Sequence, residues 1–340
     1  YLLWDNIDLA NKYRSDIDEL YQRTKDKLTG YLNGTDKPLN VPKLSNKTLS
    51  LKNGHQYDEN GNPVILVGFN DFLAPDNFVK SANKLGLNMT QRGLYISKLI
   101  KYDAETDGYI PMGYDEPKRG TGYDYNISQT IEFLDECRKN NVKVNLMFEP
   151  MSVAYVPDTD FKDAGVTYYG YIGYNATHPR VKQQVDAAAK VFINIVKDYQ
   201  DVVTGICFAN EPFFLTNDKP YYDKYWTEYI KKNYPTPESL YATYSTYDYS
   251  EDKRPESDFS QPENVLYRDY RDFNENVLCE YFSYMSDALK REKQAQGVTA
   301  DIPLSVKLMI NVGEKIGNEP VDGRDRRRHG VNYEKIKRRI

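Results

Sequence analysis

The stretch "GICFANEPFF", Gly205 to Phe214, reads as a buried strand that stops on Asn210-Glu211-Pro212. Its apolar residues run on without alternation, the pattern of a strand covered on both faces. Pro212 ends the ladder, because proline has no N–H to donate. An amide and a carboxylate are thus presented where an apolar strand finishes. The same three letters return at Asn318-Glu319-Pro320, inside the polar run "GEKIGNEPVDGRDRRRHG". Nothing there desolvates Glu319, and that copy reads as a loop.

Working outward, the chain alternates strand and helix from residue 63. Val64–Phe69, Leu87–Ile96, Val142–Phe148, Val202–Ala209 and Ile302–Met309 are strand candidates. Helices are expected over Pro75–Leu85, with Gly86 as C-cap, and over Ser128–Lys139. A further helix opens at Thr177-His178-Pro179 and carries an apolar stripe from Val181 to Tyr199. A Tyr-rich insertion, Phe213–Pro262, is partly helical around Trp226 and Leu240, and Glu263–Glu292 is a long helix. Such alternation argues a parallel sheet with helices outside it, either a (β/α) barrel or an open doubly wound sheet. Asn70-Asp71-Phe72 follows the first strand where a dinucleotide fold needs a glycine-rich loop, so the barrel is preferred.

Ahead of the barrel, Tyr1 to about Leu32 has helical spacing. A turn-rich stretch then carries Asn53-Gly54 and Asn60-Gly61, which suit a short hairpin. The expected division is an extension over 1–54 and a barrel over 55–340.

Composition bounds the function. The 340 residues are 40% hydrophobic and 28% charged, enough for a packed core. A net charge of −5 argues against a nucleic-acid partner. No apolar run approaches the roughly 20 residues of a membrane helix. Cys137, Cys207 and Cys279 lack metal-like spacing and read as small buried hydrophobes. His55, His178 and His329 are too scattered for a metal site, and neither metal nor organic cofactor is expected. Thirty-one Tyr against two Trp suit either a tyrosine-rich genome or a surface that stacks on sugars. Asn-X-Ser/Thr sequons fall at Asn33, Asn46, Asn88, Asn126 and Asn175, although Asn88 sits where a buried strand begins.

A carboxyl at the mouth of an apolar core is partly desolvated, which raises its pKa and suits a general acid. Strand ends are where a barrel keeps its chemistry. Glu211 fits that role, and Asn210 offers an amide to a substrate hydroxyl. Glycoside hydrolysis needs such an acid to protonate the leaving oxygen.

The run "HPRVKQQVDAAAKVFINIVKDYQDVVTGICFANEPFF" resembles glycoside hydrolase clan A. There an Asn-Glu pair ends the fourth strand of a (β/α)8 barrel, and the Glu is the acid/base. "YWTEYIKKNYPTPESLYATYSTY" is similar to a Trp-bearing segment of the family 42 β-galactosidases and their relatives. "DENGNPVILVGFN" looks like the approach to the clan's first strand. The resemblance covers roughly residues 55–340 and implies Glu211 as acid/base and Asn210 as the amide on the sugar 2-hydroxyl. It implies Arg92, in "NMTQRGLY", as the arginine that supports the nucleophile. Glu149, in "LMFEPM", departs from the clan's usual His or other polar residue; it could bind a hydroxyl or raise the pKa of Glu211. Asn70, Asp71, Trp226 and Tyr155 are further candidates for lining the sugar site.

The clan's nucleophile ends a seventh strand, and this chain reaches five strand candidates. The nucleophile is therefore expected beyond residue 340, in a barrel whose C-terminal part is missing. The chain opens on "YLLWD", with neither an initiator Met nor a signal pattern, which reads as a removed leader or a fragment, and its compartment leans to secreted or cell-surface. The expected activity is a retaining hydrolase of a β-linked glycan, with a carbohydrate as partner. The alternatives are a non-catalytic carbohydrate-binding barrel and a metal-dependent hydrolase, the latter disfavoured by the absence of a His-X-His set.

Overall fold

The structure is a computed structural model and describes residues 7–36, 43–69, 76–113, 126–149, 157, 165–168, 171–174, 179–210, 219–246, 248–249, 265–307 and 335–336. The chain divides into two compact units, Tyr1–Pro42 and Lys43–Ile340.

In the first unit, α1 spans Ile7–Leu32. The turn after it is tied back, with the Asp36 N–H donating to the Gly30 carbonyl and Lys27 pairing with Asp36 at 3.1 Å.

The second unit begins with the anticipated hairpin, β1 (Ser50–Lys52) and β2 (His55–Tyr57). Its turn places Asn53 and Gly54 at positive φ, the backbone that an Asn-Gly pair tolerates best. Five parallel strands follow: β3 (Gly68–Phe69), β4 (Met89–Tyr95), β7 (Lys143–Glu149), β10 (Val203–Asn210) and β11 (Leu304–Lys307). They lie side by side in chain order. A doubly wound sheet reverses its order once, and this sheet does not. Crossovers between parallel strands are right-handed, so an order that always advances sends every connecting helix to the same side. Those helices are α2 (Asp76–Ala82), α4 (Ile127–Lys139), α5 (Pro179–Asp198) and α8 (Val265–Ala295). A four-residue helix, α3 (Ile96–Leu99), continues directly from β4.

Local chemistry explains the helix ends. Gly86 takes φ 73° after the turn of 3-10 helix that extends α2. Asn126 and Gln129 form a reciprocal capping box on α4, which gives one of the sequons a structural use. Pro179 is the first residue of α5. The three cysteines are buried, as expected.

The first strand departs from its sequence reading. Val64–Val67 does not join the ladder, and Ile65 is 79% exposed. The reason is position, since β3 is an edge strand with β4 as its one neighbour in the sheet. Asn88 replaces the missing ladder: the Val67 N–H donates to its Oδ1 at 2.8 Å, and its Nδ2 donates to the Ile65 carbonyl at 3.0 Å. That sequon is therefore buried structure. Gly68 lets β3 approach β4, for a Cβ there would lie 2.3 Å from the Met89 carbonyl oxygen. Two hairpins were also unforeseen: β5 (Ile100–Asp103) with β6 (Gly108–Pro111), and β8 (Gly165–Tyr168) with β9 (Tyr171–Tyr174).

The N-terminal end of the sheet is closed by a buried cation. Lys143, 2% exposed, donates from Nζ to the carbonyls of Ser45, Lys47 and Asp201 at 2.9, 2.8 and 2.6 Å. All three ammonium hydrogens are satisfied, so the segment before β1 is fastened across the start of β7. Gln56 adds a bond from Nε2 to the Thr204 carbonyl at 2.7 Å. Burial pushes the Lys143 pKa down to about 8, against the opposing pull of Asp201 and Glu59.

Lys143→Met should cost about 2–5 kcal/mol in urea unfolding, because three backbone carbonyls lose their donor. Wild type sheds the Lys143 proton on folding between pH 8 and the unperturbed 10.5, so its stability rises with pH there relative to the variant. The gap between the two proteins should widen across that window.

Candidate functional site

In a parallel sheet, residues in register project to the same side, and the side alternates along each strand. Arg92, Leu146, Ile206 and Leu304 form one row; Leu94, Phe148, Phe208 and Val306 form another. Both rows face the helices. Phe148 meets Phe192 of α5 edge-on at 5.0 Å, and Phe208 stacks on Phe282 of α8 at 6.3 Å. The opposite face takes the intervening rows. Gln91, Asn145 and Gly205 are in register, then Gly93, Met147, Cys207 and Ser305, and finally Tyr95 with Glu149 at the C-terminal rim.

Glu149 is fully buried. Its negative charge reaches the neighbouring strand and α8. Burial is the larger cause, and the Glu149 charge adds to it, in pushing the Cys207 thiol up to about 11 and the Tyr281 hydroxyl far above its ordinary range.

The end of β10 is irregular. Phe208 pairs with Val306 and Asn210 with Lys307, so one extra residue, Ala209, is inserted. Ala209 takes φ +54°. A bulge re-aims the residues after it. Without it Asn210 would continue the helix-facing row of Phe208; with it the Asn210 position enters the row of Lys307, level with Tyr95 and Glu149. A left-handed alanine is strained, and such strain collects at functional rims.

The expected site residues are not all brought together. Glu149 is at the rim, and Asn210 is the last residue of β10 beside it. Arg92 is mid-strand on the helix side, 2% exposed, with its guanidinium 3.8 Å over the Phe133 ring of α4. That places it on the other side of the sheet from the rim row. Trp226 belongs to α6 (Lys219–Asn233) and is 3% exposed. It stacks on Tyr229 at 5.8 Å and meets Phe273 of α8 edge-on at 5.3 Å, so it is a core residue rather than groove lining. Asn70, Asp71, Tyr155 and Glu211 lie outside the described residues, though Asn70 and Glu211 immediately follow β3 and β10.

Two rim residues were missed, Tyr95 and Lys307. Each ends its strand, and counting register from Glu149 and Asn210 would have found both. Several tyrosines are engaged with carboxylates. Tyr229 donates to Asp272 at 2.8 Å and Tyr234 to Asp269 at 2.6 Å. Tyr244, in α7 (Pro237–Tyr244), also donates to Asp269, and Tyr284 of α8 donates to Asp186 of α5 at 2.5 Å. They tie helices together. Among the described residues no cluster of His, Cys, Asp or Glu could hold a metal ion, and no helix is long and apolar enough to cross a membrane.

No protein-family model matches the chain, and no curated protein sequence does. Solved structures do. The apo exo-carrageenase GH42 of Bacteroides ovatus superposes with a TM-score of 0.61 at 16% identity, covering 96% of this chain and 41% of that one. The catalytic domain of the β-amylase of Paenibacillus polymyxa gives 0.55 at 10% identity, covering 81% and 73%. The β-galactosidase of Bacillus circulans sp. alkalophilus gives 0.50 at 18% identity, covering 72% and 36%. The chain therefore spans about two fifths of the exo-carrageenase. Its fold is that of the TIM-barrel glycosidases over part of their length, as the resemblance to clan A implied.

The bulge gives a test. Ala209→Gly relieves the left-handed strain and should leave stability unchanged or raise it by up to about 1 kcal/mol, unlike most Ala→Gly changes in strands. Ala209→Val adds β-branching in the same conformation and should cost more than about 2 kcal/mol. Urea unfolding of both variants checks the pair.

Proposed function

We propose that the chain carries the acid/base half of a retaining glycoside hydrolase acting on a β-linked glycan. Glu211 protonates the departing glycosidic oxygen and then takes a proton from the incoming water. Asn210 donates to a sugar hydroxyl. The partner nucleophile is a second carboxylate about 5–5.5 Å from Glu211, as retention requires. One observation supports the reading: β10 ends on a strained bulge that brings the Asn210 position, one residue before Glu211 in the chain, level with a buried carboxylate, Glu149, at the C-terminal rim of the sheet.

The arrangement explains how a glutamate could serve as an acid near neutral pH. Glu149 places negative charge on the adjacent strand end, and a like charge nearby disfavours ionisation of Glu211. A proton is then retained until the leaving oxygen needs it. Tyr95 and Lys307, in the same row, complete a polar rim able to contact hydroxyls. The three structural neighbours are named for three different glycan activities, so the likeness in fold leaves the sugar open.

Two substitutions test this in a longer protein that contains both the chain and the nucleophile. With an aryl β-glycoside as substrate, Glu211→Gln should lower kcat by about 10²–10⁴ while sugar binding persists. Unchanged turnover would remove Glu211 from the mechanism. Binding without turnover in the wild type would favour the non-catalytic sugar-binding barrel. Glu149→Gln removes the like charge, so the Glu211 pKa falls and the alkaline limb of the pH–rate profile moves to lower pH. A limb that stays in place would show that Glu149 does not act on the acid.

A further inference from the structure

The first unit holds a surface that the glycosidase reading does not use. Helix α1 is 26 residues long, about 39 Å at 1.5 Å per residue. It leaves its apolar residues in water: Ile17, Leu20, Tyr21 and Leu28 are each more than half exposed. At 100° per residue these four, with Tyr13, Thr24 and Tyr31, fall on a single stripe. An exposed apolar stripe of this kind marks an interaction surface.

The charges beside the stripe indicate its partner. Residues 7–20 hold four acids and two bases, whereas residues 21–32 hold three bases and one acid. The helix is therefore negative in its first half and positive in its second. Asp18 and Lys25 are one heptad apart and lie on the same flank of the stripe. Asp16 lies on the other flank, with Arg23 and Lys27. When two copies of a helix pair antiparallel, like flank meets like flank and first half meets second half. Asp18 of each copy then comes opposite Lys25 of the other, twice by symmetry, and Asp16 comes opposite the Arg23–Lys27 side. The apolar layers close in the same register: Ile17 on Leu28, and Tyr21 on Thr24. Arg14 comes over Tyr31, a polar layer that fixes the orientation. A parallel pairing would set Asp18 against Tyr13 and Lys25 against Leu20, with no charge match. Asp18 and Lys25 form no ion pair within the chain among the described residues.

We propose that α1 is a self-association surface, pairing antiparallel with α1 of a second copy of this chain.

Sedimentation equilibrium of the full chain over a range of concentrations tests it. Wild type should dimerise. Asp18→Lys or Lys25→Asp alone should weaken the dimer at least tenfold, since each sets like charges opposite one another twice. The double variant D18K/K25D should recover it, because the pairs are re-formed with signs exchanged. Ile17→Asp should give monomers, and far-UV circular dichroism would show whether that variant keeps its helix. A wild type that stays monomeric overturns the proposal, whether α1 then packs on its own chain or on another protein. So does a dimer that survives Ile17→Asp with the helix intact, or a double variant no tighter than its parents. None of these readings depends on hydrolase activity.

Discussion

One constraint orders the second unit: parallel strands joined by right-handed crossovers, laid down always in the same direction. Each helix then falls on the same side of the sheet. That side becomes a conventional core, where Val144, Leu146 and Phe148 of β7 meet Val185, Phe192 and Val196 of α5. The other side is a mixed face, with Gln91, Asn145 and Ser305, the glycines Gly93 and Gly205, and the buried Met147 and Cys207. It suits a sheet that curls on itself and gathers its C-terminal strand ends around one rim.

The two ends of the sheet are treated differently. At the N-terminal end, a buried lysine with three carbonyl acceptors fastens the preceding segment, and its chemistry is used up in holding structure. At the C-terminal end, Glu149 is buried, Ala209 is strained, and the ladder of β10 is offset by one residue. Strain and buried charge both cost stability, and they meet at the C-terminal rim, the end at which barrel folds keep their sites. The contrast supports a structural end and a working end on one sheet.

Much of this was legible in the sequence, and the failures have physical causes. The five strands and most of the helices were readable, since strand and helix differ in period and Gly86, Pro179 and Asn126 mark helix ends. What could not be read was which way each strand residue faces. A strand buried on both sides has no alternation, so nothing in "NMTQRGLY" shows which side of the sheet Arg92 and Leu94 share. The bulge was hidden for the same reason, because Ala209 looks like any small strand residue. Trp226 misled because an indole in a tyrosine-rich insertion reads as a sugar platform, whereas tertiary packing makes it a core residue. Ile65 and Val67 read as buried because hydropathy does not reveal that a strand lies at an edge.

The central claim is that a sugar site opens at the rim where β4, β7 and β10 end, in the row of Glu149. The most direct measurement is a crystal structure with a basic iminosugar bound. The account places the sugar ring against Glu149 and the Asn210-Glu211 step, in the row of Tyr95 and Lys307. A sugar bound on the helix side near Arg92, or at the Lys143 end, would contradict it.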